Sequence, residues 1–278
     1  MPLPPPALSP AELSELRRAR ELLESGGLVV RLAEAIGQPL EAGLARLPAR
    51  AQNAIHGATQ GALEQALRVA LGTLDDRPRR ASLRLHKAVA AATGAVGGFF
   101  GLGGLAVELP VTTVVMLRSV ADVARSEGHD LVDPGSRLAC LEVFALGGGG
   151  AEAGAETGYY AVRAGLSRAL GEAARHLAQR GMSAEGAPAL VRLLAAVATR
   201  FGVVVEEKVA LASVPIVGAV SGSLVNTLFI DHFQKRARGH FVVRRLETVY
   251  GYDEVRRAYE SLDQPTKGPL ARPEGATA

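Results

Sequence analysis

Two long stretches of this chain carry no charge: residues 88–107, a run of 20, and residues 209–230, a run of 22. A helix of 20 residues is about 30 Å long, the thickness of a bilayer's hydrocarbon core. Both runs therefore pass the length test for spanning a membrane. Their composition is less decisive. The first holds only seven large apolar residues, and the second contains Pro215, Asn226 and four hydroxyl-bearing residues. Helices buried in a large soluble core look the same.

The first run continues into TGAVGGFFGLGGLAVELP at residues 93–110. Ala90, Gly94, Gly97, Gly98, Gly101 and Gly104 recur every three or four residues and form one smooth stripe on a helix, while Val89, Val96, Phe100 and Val107 lie on another face. In the second run Gly218, Gly222 and Asn226 have the same small-residue spacing. Each glycine costs a helix about 1 kcal/mol relative to alanine, so such a stripe needs a packing reason. Stripes of this kind let two helix backbones approach closely. The expectation is that the two segments pack together, with Asn226 hydrogen-bonding across a helix interface. A phosphate-binding loop is a poorer reading. Residues 101–106 fit G-x-G-x-x-A, but the motif needs a strand before it and a helix opening after it. No Lys-Ser/Thr follows a glycine pair, so a nucleotide cofactor is not expected.

The rest of the chain reads as helices. Ser9-Pro10-Ala11-Glu12 is a capping box with proline at the first helical position, and Gly26-Gly27 stops the helix that follows. Residues 28–75 continue as amphipathic helix, with breaks near Gly37–Pro39 and Pro48. Asp133-Pro134 repeats the start signal. Further helices are predicted over 134–146, 155–180 and 187–201, the last closed by Gly202, and over 234–262 with a break near Gly251. Period-two alternation is absent and aromatic residues make up only 4% of the chain, which disfavours a β-sandwich. The prediction is an all-α multi-helix bundle: a single domain over 11–262, with disordered ends at 1–10 and 263–278. The N-terminal MPLPPPALSP has neither a basic nor an apolar region of the secretory kind, so a cytoplasmic location is expected.

A net charge of +3 is too small to argue for nucleic acid. Its distribution says more. Residues 77–87, RPRRASLRLHK, and 235–245, KRARGHFVVRR, flank the two uncharged runs on their outer sides. Basic clusters so placed suit an anionic cytoplasmic leaflet, or two spans with both termini inside.

Among single residues, Glu108 ends the first run and is a candidate polar or ligand contact. A buried carboxylate needs a partner or a proton, and an arginine is the expected partner, from Arg118 or the 77–87 cluster. Arg118, Asp122 and Asp231 are further candidate polar or ligand contacts; Arg118, Asp122 and Arg125 have the spacing of a surface ion-pair ladder, and Asp231 that of a pair with Lys235. Asp231 and His232, as neighbours on a helix, point about 100° apart, and His232 and His240 are about 12 Å apart along it, so no metal site is expected from them. Cys140 is the only cysteine. It allows no intramolecular disulfide and no cysteine-based zinc site, and reads as a small buried apolar residue.

Two segments carry a family resemblance. GGFFGLGGLAVELPVTTVVMLRSVADVARSEGHDL and PIVGAVSGSLVNTLFIDHFQKRARGHFVVRRLETVYG resemble the two signatures of the EcsC family of bacterial proteins, and together bracket roughly residues 88–251. A tyrosine often precedes the glycine at the Gly128 position; here it is Glu127. The resemblance implies an association with membranes and transport, and no catalytic residue or cofactor. The sequence thus reads as a non-enzymatic helical protein at the cytoplasmic face of a membrane. It would be peripheral or shallowly inserted, with an anionic membrane surface and a membrane protein as partners and no nucleic acid; two-span insertion is the alternative. The other readings are a soluble partner-binding module and an enzyme or a lipid- or small-molecule-binding protein with a pocket between the apolar segments. Oligomeric state is left open.

Overall fold

The computed structural model describes residues 7–28, 49–72, 74, 101–148, 158–180, 187–212 and 222–262. Among these residues the chain forms eight α-helices and no strand. They are α1 (Pro10–Glu24), α2 (Ala49–Gly72), α3 (Gly101–Ser126), α4 (Pro134–Ala145), α5 (Tyr159–Arg180), α6 (Pro188–Ala212), α7 (Gly222–Tyr250) and α8 (Tyr252–Ser261). The all-α bundle expected from the sequence is the fold observed. The predicted breaks at Gly37–Pro39 and the predicted disordered tail at 263–278 lie outside the described residues, as do residues 1–6 of the predicted disordered start.

Local chemistry explains the ends. Ser9 accepts from the Glu12 amide while the Glu12 carboxylate accepts from the Ser9 amide, completing the capping box. Asp133 caps α4 by accepting from the Ser136 amide at 2.8 Å. Gly251 has φ of 85°, a conformation that L side chains resist, and it separates α7 from α8 where the sequence placed the break.

α4 is the centre of the bundle. It packs against α2, α3, α5, α6 and α7, and every residue from Leu138 to Ala145 is buried. That is why this helix is apolar on all sides rather than on one stripe. Around it Phe144, Phe201, Phe229 and Phe233, from α4, α6 and α7, make a ring cluster with centroids 5.0 to 6.1 Å apart. Cys140 is fully buried there, and burial pushes its thiol up to about 12.

α1 lies antiparallel along α7. Tyr250 bonds Glu12 and Arg245 bonds Glu15 at one end, while Arg236 reaches the Leu22 and Ser25 carbonyls at the other. Gly239 sits at their closest approach, where an added Cβ would lie 2.7 Å from the Ala19 carbonyl oxygen and from Leu23 Cγ. Neither α1 nor α2 has a basic residue in its own last turn. Distant arginines serve instead: Arg236 satisfies the end of α1, and Arg137 donates to Leu71 O at 2.9 Å at the end of α2.

Two boundaries differ from the sequence reading. α6 does not stop at Gly202 but continues to Ala212. Gly202 faces open space, and the buried Phe201, Val204, Val205 and Val209 around it stabilise the helix by more than one glycine costs. α7 begins at Gly222, twelve residues earlier than expected. The second uncharged run is therefore divided: residues 209–212 end α6 and residues 222–230 open α7. Neither uncharged run coincides with the one described helix apolar and long enough to cross a bilayer. That window is Pro188–Ala210, with mean hydropathy 1.7 and 44% of it buried in the bundle.

Candidate functional site

The sequence singled out Glu108, and the structure puts it inside α3 rather than at a helix end. Its partner is a lysine. Lys208 Nζ on α6 donates to Glu108 Oε1 at 2.8 Å and Oε2 at 3.0 Å, and Thr112 Oγ1 donates to Oε1 at 2.8 Å. The two charged side chains are 11% and 8% exposed. The Lys208 ammonium also lies 4.9 Å from the centre of the Phe229 ring on α7. Arg118, one expected partner, is ten residues further along α3, about 15 Å along its axis; the other expected arginines, in 77–87, lie outside the described residues.

Other predicted residues fall as follows. Arg125 Nη1 donates to Asp122 Oδ1 at 2.9 Å, but the pair is largely buried in the bundle rather than on the surface, and Arg118 is exposed on the same helix. Asp231 and Lys235 pair at 3.4 Å. Asn226 is fully buried on α7. Gly101, Gly104 and Gly222 lie in the first turns of α3 and α7, and Gly94, Gly97, Gly98 and Gly218 lie outside the described residues. The 235–245 basic cluster is not a free cationic face. Arg236 is buried against the end of α1, Arg245 bonds Glu15 and Glu127, and Arg244 faces Glu142. His232 is also buried, with Nε2 2.8 Å from the Gly147 carbonyl oxygen.

A second polar site was not read from the sequence. Glu142 is the one acidic residue in the buried α4, with its side chain 2% exposed. Three groups face it just beyond hydrogen-bond range or at its limit. Arg163 Nε is 3.8 Å from Oε1, and His240 Nε2 and Arg244 Nη1 are 3.5 and 3.7 Å from Oε2. Arg163 is anchored by a bidentate bond to Glu247 at 2.6 and 2.9 Å, which also accepts from Tyr160 Oη at 3.2 Å. The Arg163 guanidinium lies 5.2 to 5.7 Å from the ring centres of Tyr159, Tyr160 and Tyr252. Tyr159 Oη is 3.0 Å from His240 Nδ1.

The electrostatics of this cluster follow from its burial. Desolvation raises the Glu142 carboxyl above its usual range, against the pull of Arg163 and Arg244. Desolvation, with those same arginines, holds the His240 ring well below its usual range, so the ring is neutral at pH 7. The Tyr159 hydroxyl is pushed well up and keeps its proton. A neutral ring that accepts from Tyr159 at Nδ1 carries its own proton on Nε2, facing Glu142. Glu142, Arg163, Ala164, Ser167, Leu170, Arg244 and Tyr252 line a cleft of about 450 Å³ at this point. Among the described residues, no group of three or more His, Cys, Asp or Glu side chains could hold a metal ion.

The signal for this site was in the sequence but had no partner there. Glu142 interrupts an otherwise apolar LACLEVFA, and four of the five tyrosines, Tyr159, Tyr160, Tyr252 and Tyr259, gather around Arg163. Only the fold shows that residues 142, 163 and 240–247 meet.

A model of the EcsC protein family matches residues 11–246. The chain belongs to the EcsC family. No curated protein and no solved structure matches it. The EcsC match begins with α1 and takes in Glu108, Lys208, Glu142, Arg163, His240 and Arg244, while Glu247 and Tyr252 of the second polar site lie just beyond it. Glu127, directly after α3, lies 3.4 Å from Arg245 on α7.

Proposed function

We propose that this EcsC-family chain is a non-enzymatic helical protein that works at the cytoplasmic face of a membrane, in the service of a transport or secretion system. The observation that carries the reading is the Glu108–Lys208 pair with Lys208 over Phe229. It gathers the opening part of α3, the last turns of α6 and the opening part of α7 at one end of the bundle. The described parts of both uncharged runs, residues 101–107, 209–212 and 222–230, therefore lie at that end. Val107 and Val111, one turn apart on α3, are 73% and 45% exposed beside the pair. In this reading the apolar end enters the outer part of the lipid, the small-residue stripes at Gly94–Gly104 and Gly218–Gly222 let the two runs pack together, and the ion pair closes the polar interior behind them. Because Lys235, Arg236, Arg244 and Arg245 of the 235–245 cluster are engaged by acidic residues or by the end of α1, attraction to anionic lipid falls mainly on the 77–87 cluster and the exposed Arg238.

Flotation tests this. The protein should float with vesicles of phosphatidylcholine containing phosphatidylglycerol, less with phosphatidylcholine alone, and less again at high salt. Replacing Arg77, Arg79, Arg80, Arg84 and Lys87 with glutamine should remove most of the salt dependence. A protein that stays at the bottom of the gradient with every vesicle would reject the reading. It would favour the second one, a soluble partner-binding module, for which the groove of about 290 Å³ between α2 and α6, lined by Leu63, Leu67, Leu190, Val191 and Leu194, is the supporting observation.

A further inference from the structure

We infer that the cleft between α4, α5 and α7 is a binding site for a small organic anion that carries a hydrogen-bond donor beside its acid group, with Arg244 holding the acid and Glu142 receiving the donor. The site is separate from the membrane-facing end: Arg244 is fifteen residues beyond Phe229 on α7, roughly 22 Å along the axis. It does not rest on the membrane reading.

Four observations support it. First, Arg244 has one counter-ion among the described residues, Glu142, and does not hydrogen-bond it. Its guanidinium side chain is 30% exposed, and its contact with Glu142 is 3.7 Å, too long for a hydrogen bond. Arg163 beside it uses both terminal nitrogens on Glu247 and turns Nε toward the cleft wall. Second, Glu142 Oε2 is buried and has no hydrogen-bond partner. Such a group is costly to leave unpaired. Glu142 lines the cleft, and a small turn of its carboxyl, which no short hydrogen bond holds, would let a ligand hydroxyl or ammonium satisfy that oxygen. Third, the cleft, at about 450 Å³, is within the range of small-molecule sites, and Ser167 and the half-exposed Tyr252 ring border it. Fourth, the floor is rigid. Arg163 is fixed by Glu247 and bracketed by three tyrosine rings, and His240 is fixed by Tyr159, so the groups facing the ligand do not have to be ordered on binding. The proximity of the Glu142 carboxyl does not defeat an acid group on the ligand, since Arg163 and Arg244 stand on the same wall and a burial-raised carboxyl accepts a proton readily.

Thermal melts with defined probes test the site. L-malate and glycerol 3-phosphate each pair an acid group with a hydroxyl; succinate has the acids and no hydroxyl; sodium chloride at matched ionic strength controls for screening. Malate or glycerol 3-phosphate at about a hundred times its dissociation constant should raise the melting temperature by about 5 °C or more. Succinate should raise it less. A response to glycerol 3-phosphate alone would still support the site and would point to a phosphate-bearing headgroup or metabolite as the natural source. Arg244→Gln should abolish the shift. Ala164→Leu should do the same by filling the cleft mouth from an exposed position, without touching the charged groups. Arg168→Gln, an arginine whose side chain is 90% exposed on the same helix, should leave the shift intact. Equal shifts in the wild type, Arg244→Gln and Ala164→Leu proteins, or no shift beyond that of sodium chloride with any probe, would overturn the proposal.

Discussion

Lys208 Nζ lies 2.8 and 3.0 Å from the two carboxylate oxygens of Glu108, across one hundred residues of chain. Glu108 is the first charge after one uncharged run and Lys208 the last charge before the other. The pair thus joins the two boundaries that the sequence marked separately.

Removing one partner should strand the other. Glu108→Gln keeps the shape of the side chain and leaves the Lys208 ammonium buried without a counter-charge. We expect a loss of about 3 kcal/mol in urea unfolding. The double change Glu108→Gln, Lys208→Met should recover most of it, because the pair as a whole offsets its own desolvation. A single mutant as stable as the wild type would show that the ammonium reaches water without Glu108.

The crossing of α1 and α7 should be sensitive at one glycine and indifferent at another. Gly239→Ala places a methyl 2.7 Å from the Ala19 carbonyl, where backbone must move, and should cost more than 1 kcal/mol. Gly61, in the middle of α2, has nothing within 4 Å of an added Cβ. Gly61→Ala should stabilise by up to about 1 kcal/mol through helix propensity. Paired melting curves decide, and the same sign at both sites would contradict the packing described.

Arg236 should govern α1 more than the rest of the fold. Its guanidinium donates to Ser25 O at 2.8 Å, past the last turn of a helix with no basic residue of its own there. In Arg236→Met the amides of residues 10–24 should exchange with deuterium at least tenfold faster while those of α4 hold. Uniform acceleration across both helices would mean that α1 does not open as a unit.

His240 should make the fold sensitive to mild acid. Its folded-state value is depressed below the ordinary 6.5, so the unfolded chain takes up a proton that the folded chain refuses. The stability from this group is complete above about pH 6.5 and is lost as pH falls through the window below it. The ring is faced by Glu142 from α4, Tyr159 and Arg163 from α5, Arg244 from α7 and His129 from the α3–α4 connection. Glu142, whose value is raised, has the opposite sign: its contribution is present at low pH and fades as pH rises through its folded value. A melting-temperature profile from pH 7.5 to 5 should therefore slope downward toward acid in the wild type and flatten in His240→Gln. His129, also depressed by burial, leaves part of the slope in place. Parallel profiles for the two proteins would show that His240 titrates normally.

The sequence by itself determined the helical class, the capped starts at Ser9 and Asp133, the break at Gly251 and the family, because each of these rests on residues within a turn or two of one another or on a long local pattern. It also marked Glu108 as a carboxylate in need of a partner. It could not name Lys208, and it read Gly202 as a stop, since only tertiary burial of Phe201, Val204 and Val205 decides whether a helix continues through a glycine. It read the 235–245 cations as a surface cluster, whereas α1 and α4 take up Arg236, Arg244 and Arg245. The Glu142 site is the extreme case. Its members come from four helices, α4, α5, α7 and α8, and are separated by up to 110 positions in sequence, from Glu142 to Tyr252. What makes them a site is their shared exclusion from water, and that comes into being only when α5 and α7 close over α4.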